Sequence, residues 1–320
     1  MNLGRDKLDW SQDIWNQIDK AVHDEAQRTR VAMKFIPIFM TTSDAKTVPS
    51  DTVDIDDPTT LTVDEGLETA IFEISVGFAL TKQQVTEMDV STAVTLATRA
   101  TNFLMQAEDL LIFQGDDALP DKHGNGGNVL FSSGRVLHRN NSFGTGLVKA
   151  AQTTVEVQPT LENPDDPTQN RYGENTFGAV AKAYSILQGL GHYGPYALVL
   201  QTDVYADTYA PLATTLILTA DRIKPIVTAG FYGTGTLPPS TGLLMSLGGN
   251  TMDLVVGMDA TTAFLQPDTK RLDQFSVFER YALRLKDPTA LVKLDFEDVK
   301  GDQDDSNQGA DSSKVKKSTN

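Results

Sequence analysis

The sequence predicts an α+β fold from three observations. Residues 275–296, FSVFERYALRLKDPTALVKLDF, alternate apolar and polar like a strand, turn, and alternate again. Residues 88–114 carry one unbroken apolar stripe at helical spacing. Residues 39–80, before that stripe, are rich in Thr, Asp and Val and too thinly apolar to bury themselves.

The first element is an amphipathic helix over residues 11–35, with Ile14, Ile18, Val22, Glu25 or Ala26, Thr29 and Met33 as its stripe. Ser11 or Asp13 is placed to cap it, and Pro37 ends it. Next, Val48, Val53, Ile55, Leu61 and Val63 are spaced like two thin strands around a turn at Asp56-Asp57-Pro58-Thr59. Such a hairpin needs another surface: it is a lid in an enzyme and an arm in an oligomer.

The spine helix follows, with Val90, Ala93, Ala97, Ala100, Leu104, Ala107 and Leu111 inward. Thr86 and Asp89 have capping-box spacing, and Gly115 stands where a terminal glycine belongs. About 27 residues at 1.5 Å each make a rod of roughly 40 Å. Residues 116–173 are loop-rich, with a strand pair expected at 129–136. A second helix is expected over 175–190, then a buried strand over 196–200 and a helix capped by Asp203. Short strands are expected near 226–227, 241–247 and 253–258. In the final ribbon Phe275, Val277, Tyr281, Leu283 and Leu285 share one face, and Ser276, Arg280, Arg284 and Lys286 the other. Glu279 breaks the apolar face and Phe278 the polar one. Asp287-Pro288 supplies the turn, and the tail after Lys300 has the composition of disorder.

Composition narrows the chemistry. The chain has 320 residues, 40% of them hydrophobic, enough for a substantial core. It contains no cysteine, which removes disulfides, thiolate catalysis and cysteine-ligated metals. A net charge of −16 argues against nucleic acid as a ligand of the whole surface, but not against a container around it. No apolar run reaches the roughly 18–20 residues that cross a bilayer, and the first residues lack a signal-peptide core. A soluble, non-secreted protein without membrane partners is expected.

No motif converges on catalysis. The 4 histidines, His23, His123, His138 and His192, show no metal-ligand spacing. DKHGNGG at 121–127 reads as a surface turn, and GTGTLPPSTG at 233–242 lacks the Lys-Ser/Thr of a phosphate loop. Asp54, Asp56 and Asp57 read as a solvated turn rather than a calcium site, and Glu108-Asp109 as salt-bridging residues rather than an acid pair. No catalytic residue, cofactor or metal is expected.

In order, these pieces resemble the shell proteins of the Hong Kong 97-like capsid fold, and in particular the encapsulins. The resemblance covers most of residues 10–296. It rests on WNQID at 15–19, AEDLLIFQGD at 107–116, GPYALVLQTDVY at 194–205, NTMDLVVGMDATTAFL at 250–265 and FERYALRLKDPTALVKL at 278–294. It implies an N-terminal arm and helix (1–42), an extended loop (43–80), a peripheral domain (81–190), an axial domain (191–274), a returning peripheral ribbon (275–300) and a polar tail (301–320). The inter-subunit arm would carry Val48, Val53, Ile55, Leu61 and Val63. Gly233, Gly235, Pro238 and Pro239 would lie in a loop at the symmetry axes. Glu279, Arg280, Arg284 and Lys286 would pair with neighbours as well as with water.

Encapsulins commonly carry Gly-Arg-Arg or Gly-Arg-Lys late in the first helix, with an Asp four residues past the first Arg, beside a cargo-peptide groove. Here the positions read Ala32, Met33 and Lys34, then Pro37, a departure that argues against peptide-dependent loading. Ala26, Met33 and Pro37 are the groove positions only in the encapsulin reading. The long 116–173 region and the tail favour the major capsid protein of a tailed virus, enclosing DNA in a virion with portal or decoration proteins. The alternative is an encapsulin nanocompartment in a bacterial or archaeal cytoplasm, enclosing a cargo enzyme. Either is a non-enzymatic shell of pentamers and hexamers of this chain. The rivals are an enzyme whose 39–80 lid covers a cleft, and a monomeric binding module.

Overall fold

The computed structural model describes residues 3–54, 62–64, 66–87, 89–160, 171–211, 217–268 and 271–297. The expected arm positions Ile55 and Leu61, the turn at 56–59 and the tail lie outside them. In chain order the strands are β1 (Ile38–Met40), β2 (Thr47–Pro49), β3 (Thr52–Asp54), β4 (Thr62–Asp64), β5 (Glu68–Ala70), β6 (Phe72–Leu80) and β7 (Leu137–His138). They continue with β8 (Thr153–Val157), β9 (Tyr196–Gln201), β10 (Gly230–Thr234), β11 (Thr241–Ser246), β12 (Met252–Pro267), β13 (Asp273–Leu285) and β14 (Leu291–Phe296).

The N-terminal helix, Gln12–Thr29, is capped by Ser11, whose Oγ accepts from the Ile14 N–H at 3.4 Å. It ends well before the expected residue 35. Arg30 turns extended, at φ −60° and ψ 144°, and a 3₁₀ turn follows at Ala32–Lys34. The cause lies on the spine helix, where Asp109 accepts from the N–H groups of Val31 and Ala32 and so fixes a second helix start.

The spine helix itself is Ser91–Gln114, and the expected stripe from Val90 to Leu111 is buried. It starts later than residue 88 because Val90, at φ 44°, is left-handed and separates it from the short helix Lys82–Val85. The capping box belongs to that short helix, between Thr81 and Gln84. Gly115 ends the spine at φ 62°, and a Cβ there would meet the Gly144 oxygen at 2.3 Å.

Two five-stranded sheets are built around the spine. The first runs β1-β12-β13-β6-β7 and the second β10-β9-β11-β14-β8. The inner face of the first, with Phe72, Ile74, Val76, Phe275, Val277 and Tyr281, shares one core with the spine and N-terminal helices. The second sheet buries Ala197, Val199, Leu243 and Met245 in that same core. Its other face packs against the third long helix, Glu174–Gly189, through Leu198, Leu200, Val292, Leu294, Val180, Ala183 and Leu187.

Sheet membership cuts across the expected domain boundaries. β12, inside the expected axial unit, is the central neighbour of β13 in the first sheet. The ribbon does not return through one sheet: β13 lies in the first and β14 in the second, with Pro288–Ala290 between them. The reason is the proline turn, which ends one ladder and re-aims the chain. The β11–β12 and β13–β14 crossings meet, since the N–H groups of Lys286 and Asp287 both donate to the Thr251 carbonyl, at 2.8 and 3.0 Å. Other local expectations also change. Residues 129–132 form a helical turn, Gln201 rather than Asp203 caps the helix Thr202–Asp207, and the strand expected at 226–227 is a turn before β10.

Candidate functional site

The hairpin rises from the outer face of the first sheet. β2 pairs antiparallel with β5, placing Val48 opposite Thr69, and β3 pairs with β4, placing Val53 opposite Val63. Among its described residues the root is buried: Val48 packs with Ile71, Val255 and Ala282. Further out, Val63 is 52% exposed. The arm therefore leaves its own subunit with an apolar residue uncovered, in the thin-stranded form its sequence predicts.

Two of the ribbon charges, Arg280 and Arg284, hold this root from within the chain. Arg280 donates to the Ser43 carbonyl and, at 2.7 Å, to that of Ala45, and lies 3.6 Å from Glu73. Arg284 stands directly across from Asp253 in the ladder and pairs with it through two bonds, at 2.7 and 2.9 Å. Its third donor reaches the Pro49 carbonyl at 3.0 Å. Lys286 bonds Asp253 and Asn250, both at 2.8 Å. These cations face root carbonyls and a cross-strand carboxylate, while the Arg280 Nε is buried without a hydrogen-bond partner. Glu279 is not a surface charge: alternation turns it inward, and it is buried.

Beyond the root, the same outer face opens into a groove of about 650 Å³, lined among others by Leu137, Leu265, Phe278, Ser276, Gln274 and Glu73. A second bare surface is the edge strand β1. Ile38, Phe39 and Met40 are 49%, 53% and 63% exposed, and β1 pairs only with β12 among the described residues. Sequence reasoning missed it, although FIPIFM at 35–40 is an apolar run with no charge. An unpaired apolar edge is the kind a soluble protein covers.

The segment expected as an axial loop is packed against the spine. Thr234, Thr236 and Leu237 are buried, and the Thr236 carbonyl accepts from the Gln114 side chain at 2.5 Å. Gly233 lies against Tyr205, and Gly233 and Gly235 line a cavity beside the spine. Pro238 and Pro239 follow, leading into β11. The segment is a seam between spine and second sheet rather than a free tip, because Leu237 belongs to the main core.

The three cargo-groove positions do not form one open groove. Ala26 is sealed in the core, Met33 turns its sulfur to Arg30 at 2.9 Å, and Pro37 is exposed at the head of β1. Among the described residues, no three His, Asp or Glu side chains gather as metal ligands. Asp121 accepts from the N–H groups of Asn125 and His123, the surface turn expected there. No described helix is long and apolar enough to cross a membrane.

A long spine is thus shared by two sheets, and the hairpin is rooted on the outer face of the first. A family profile described as "Encapsulating protein for peroxidase" (Linocin_M18) matches residues 1–120 and 154–282. The chain belongs to this encapsulin family. Over 120 residues, 37% of the chain, this encapsulin-family protein is 33% identical to the Type 1 encapsulin shell protein EncA of Myxococcus xanthus, spanning 41% of that relative. Over 311 residues it is 25% identical to a diheme-cytochrome-encapsulin shell fusion protein of Kuenenia stuttgartiensis, covering 90% of this chain and 74% of the relative. The virus-like particle from Pyrococcus furiosus aligns with a TM-score of 0.63 at 17% identity, over 88% of this chain and 99% of that one. The fold is the Hong Kong 97-like capsid fold, which tailed-phage capsids share with encapsulins.

Proposed function

We propose that the chain is a non-enzymatic subunit of a closed encapsulin-type shell that surrounds a protein cargo in the cytoplasm. The tailed-virus reading has less support, because the family profile and both sequence relatives are encapsulating proteins. Recognition of cargo through Ala26, Met33 and Pro37 is not part of the proposal, since Ala26 is sealed.

The observation that carries the reading is the arm, held at its root by Arg280 and Arg284 and exposing Val63 further out. In a shell, each arm lies along the outer-face groove of a neighbour, covering Val63 on one side and Leu137, Leu265 and Phe278 on the other. Symmetry repeats that modest contact, so closure is cooperative. Proximal residues stay seated in this scheme, so the test removes only the distal arm. Residues 51–66 are excised and Ser50 is joined to Leu67, its hydrogen-bonded partner, through an Asn-Gly turn. The shortened chain should keep its circular dichroism and unfolding transition but form no closed particle. Particles indistinguishable from the intact chain's would refute the arm's role.

A further inference from the structure

Four carboxylates crowd one guanidinium where the N-terminal helix, the spine and the first sheet meet. Glu108 and Asp109 come from the spine, Glu279 from β13 and Asp259 from a bulged stretch of β12. Glu108, Asp109 and Glu279 are buried, as is Arg30, while the Asp259 side chain is 44% exposed. β13 also brings the Tyr281 hydroxyl, 3.5 Å from the Glu108 carbonyl, and β6 offers only Ile74 opposite Glu279. Lys34 bonds outward, to the Arg28 carbonyl at 3.3 Å.

The cation is unevenly shared. Arg30 bonds Asp259 at 2.7 Å, while Glu108 stands 3.7 Å away, and its other donors fall on the sulfurs of Met33 and Met105. Asp109 has the N–H groups of Val31 and Ala32. Neither oxygen of Glu108 or of Glu279 has a hydrogen-bond partner. A buried carboxylate without donors costs several kcal/mol, whereas its protonated form does not carry that charge inside. Fully ionised, the four acids and one guanidinium would leave three uncompensated negative charges.

We propose that this cluster is a proton lock: Glu108 and Glu279 hold protons in the folded subunit, and losing them above neutrality loosens the seat of the N-terminal helix and, with it, the shell. The electrostatics point the same way. Burial pushes the Glu108 carboxyl up to about 8, against the pull of Arg30, and that of Asp109 up to about 7, against its backbone bonds. Burial, then the Glu108 charge, pushes Glu279 well above the carboxylate range. The sign follows from linkage. In the unfolded chain these acids release their protons near 4.5 for Glu and 3.8 for Asp. The stabilising effect of Glu108 and Asp109 is therefore complete below those values and is lost as pH rises through about 7 to 8, and that of Glu279 is lost in the same direction.

Each proton bound only in the folded chain changes the folding constant about tenfold per pH unit. Between pH 6 and 8 the full chain should thus lose at least about 100-fold in that constant. A Glu108→Gln/Glu279→Gln variant, neutral at both positions, should lose much less. Infrared spectra of the intact chain at pH 6.5 should show a protonated carboxyl absorption that disappears by pH 10 and is missing from the variant. No such absorption in the wild-type chain, or an equal pH slope in a folded variant, would overturn the proposal. The wild-type spectrum decides alone if the variant does not fold.

The consequence for the shell rests on the proposed function. Wild-type particles should loosen at pH 9.5 and the variant's persist; equal loosening would overturn that link. Absence of particles at every pH would defeat the shell reading while the infrared proton count still stood.

Discussion

Replacing Arg280 with methionine should free the arm root without unfolding the subunit. The guanidinium is largely buried, donates to the Ser43 and Ala45 carbonyls and lies near Glu73. Methionine keeps the aliphatic packing and removes all three contacts. Glu73 retains Arg139 at 3.0 Å, so no carboxylate is stranded. A hydrogen bond from a charged donor contributes about 1.5–3 kcal/mol, and water reaches the freed carbonyls at the surface. A net loss of about 2 kcal/mol follows, confined to the root. That corresponds to about a 30-fold fall in protection from local opening. Native-state hydrogen exchange reads it at two amides: Ile71, which donates to Lys46 at 2.8 Å, and Ser50, which donates to Leu67 at 2.9 Å. Spine amides should be unchanged. Unaltered exchange at Ile71 and Ser50, or an equal rise along the spine, would refute the assignment of Arg280 as the arm's anchor.

Two substitutions test the frame that carries the arm. Leu104→Ala on the buried spine stripe should cost about 2–5 kcal/mol in denaturant unfolding, because it opens a cavity where helix and sheet meet. Gly115→Ala should be worse tolerated than any exposed glycine change, since φ is 62° and the new Cβ would strike backbone at 2.3 Å. Soluble yield and thermal midpoint report it; an unchanged midpoint would contradict the described turn.

The elements whose signal is local were legible in the sequence. The spine stripe from Val90 to Leu111, the thin strands at Val48 and Val63 and the alternation of β13 all appear as periodicity. What stayed hidden depends on contacts distant in sequence. The first helix stops at Thr29 because Asp109, 78 residues from Val31, accepts from the N–H groups of Val31 and Ala32 just beyond it. β12 belongs to the first sheet because it pairs with β13, which no window of sequence records. Glycine and proline made residues 233–242 look like a free loop, yet Leu237 anchors them in the core.

The candidate surfaces divide in the same way. The arm's thin apolar content is itself a signal. The anchoring role of Arg280 and Arg284 required knowing what lies across the ladder, which alternation alone does not record. Glu279 stood out as a break in the apolar face. Only the packing of Arg30, Glu108 and Asp109 around it gives that break a physical meaning.

The central claim is assembly, and the most direct measurement is negative-stain electron microscopy with size-exclusion chromatography of the full chain expressed alone. Closed particles of uniform size are predicted, with protein rather than nucleic acid inside when they are purified from the native host. A stable monomer of about 34.8 kDa at every concentration tested would contradict it.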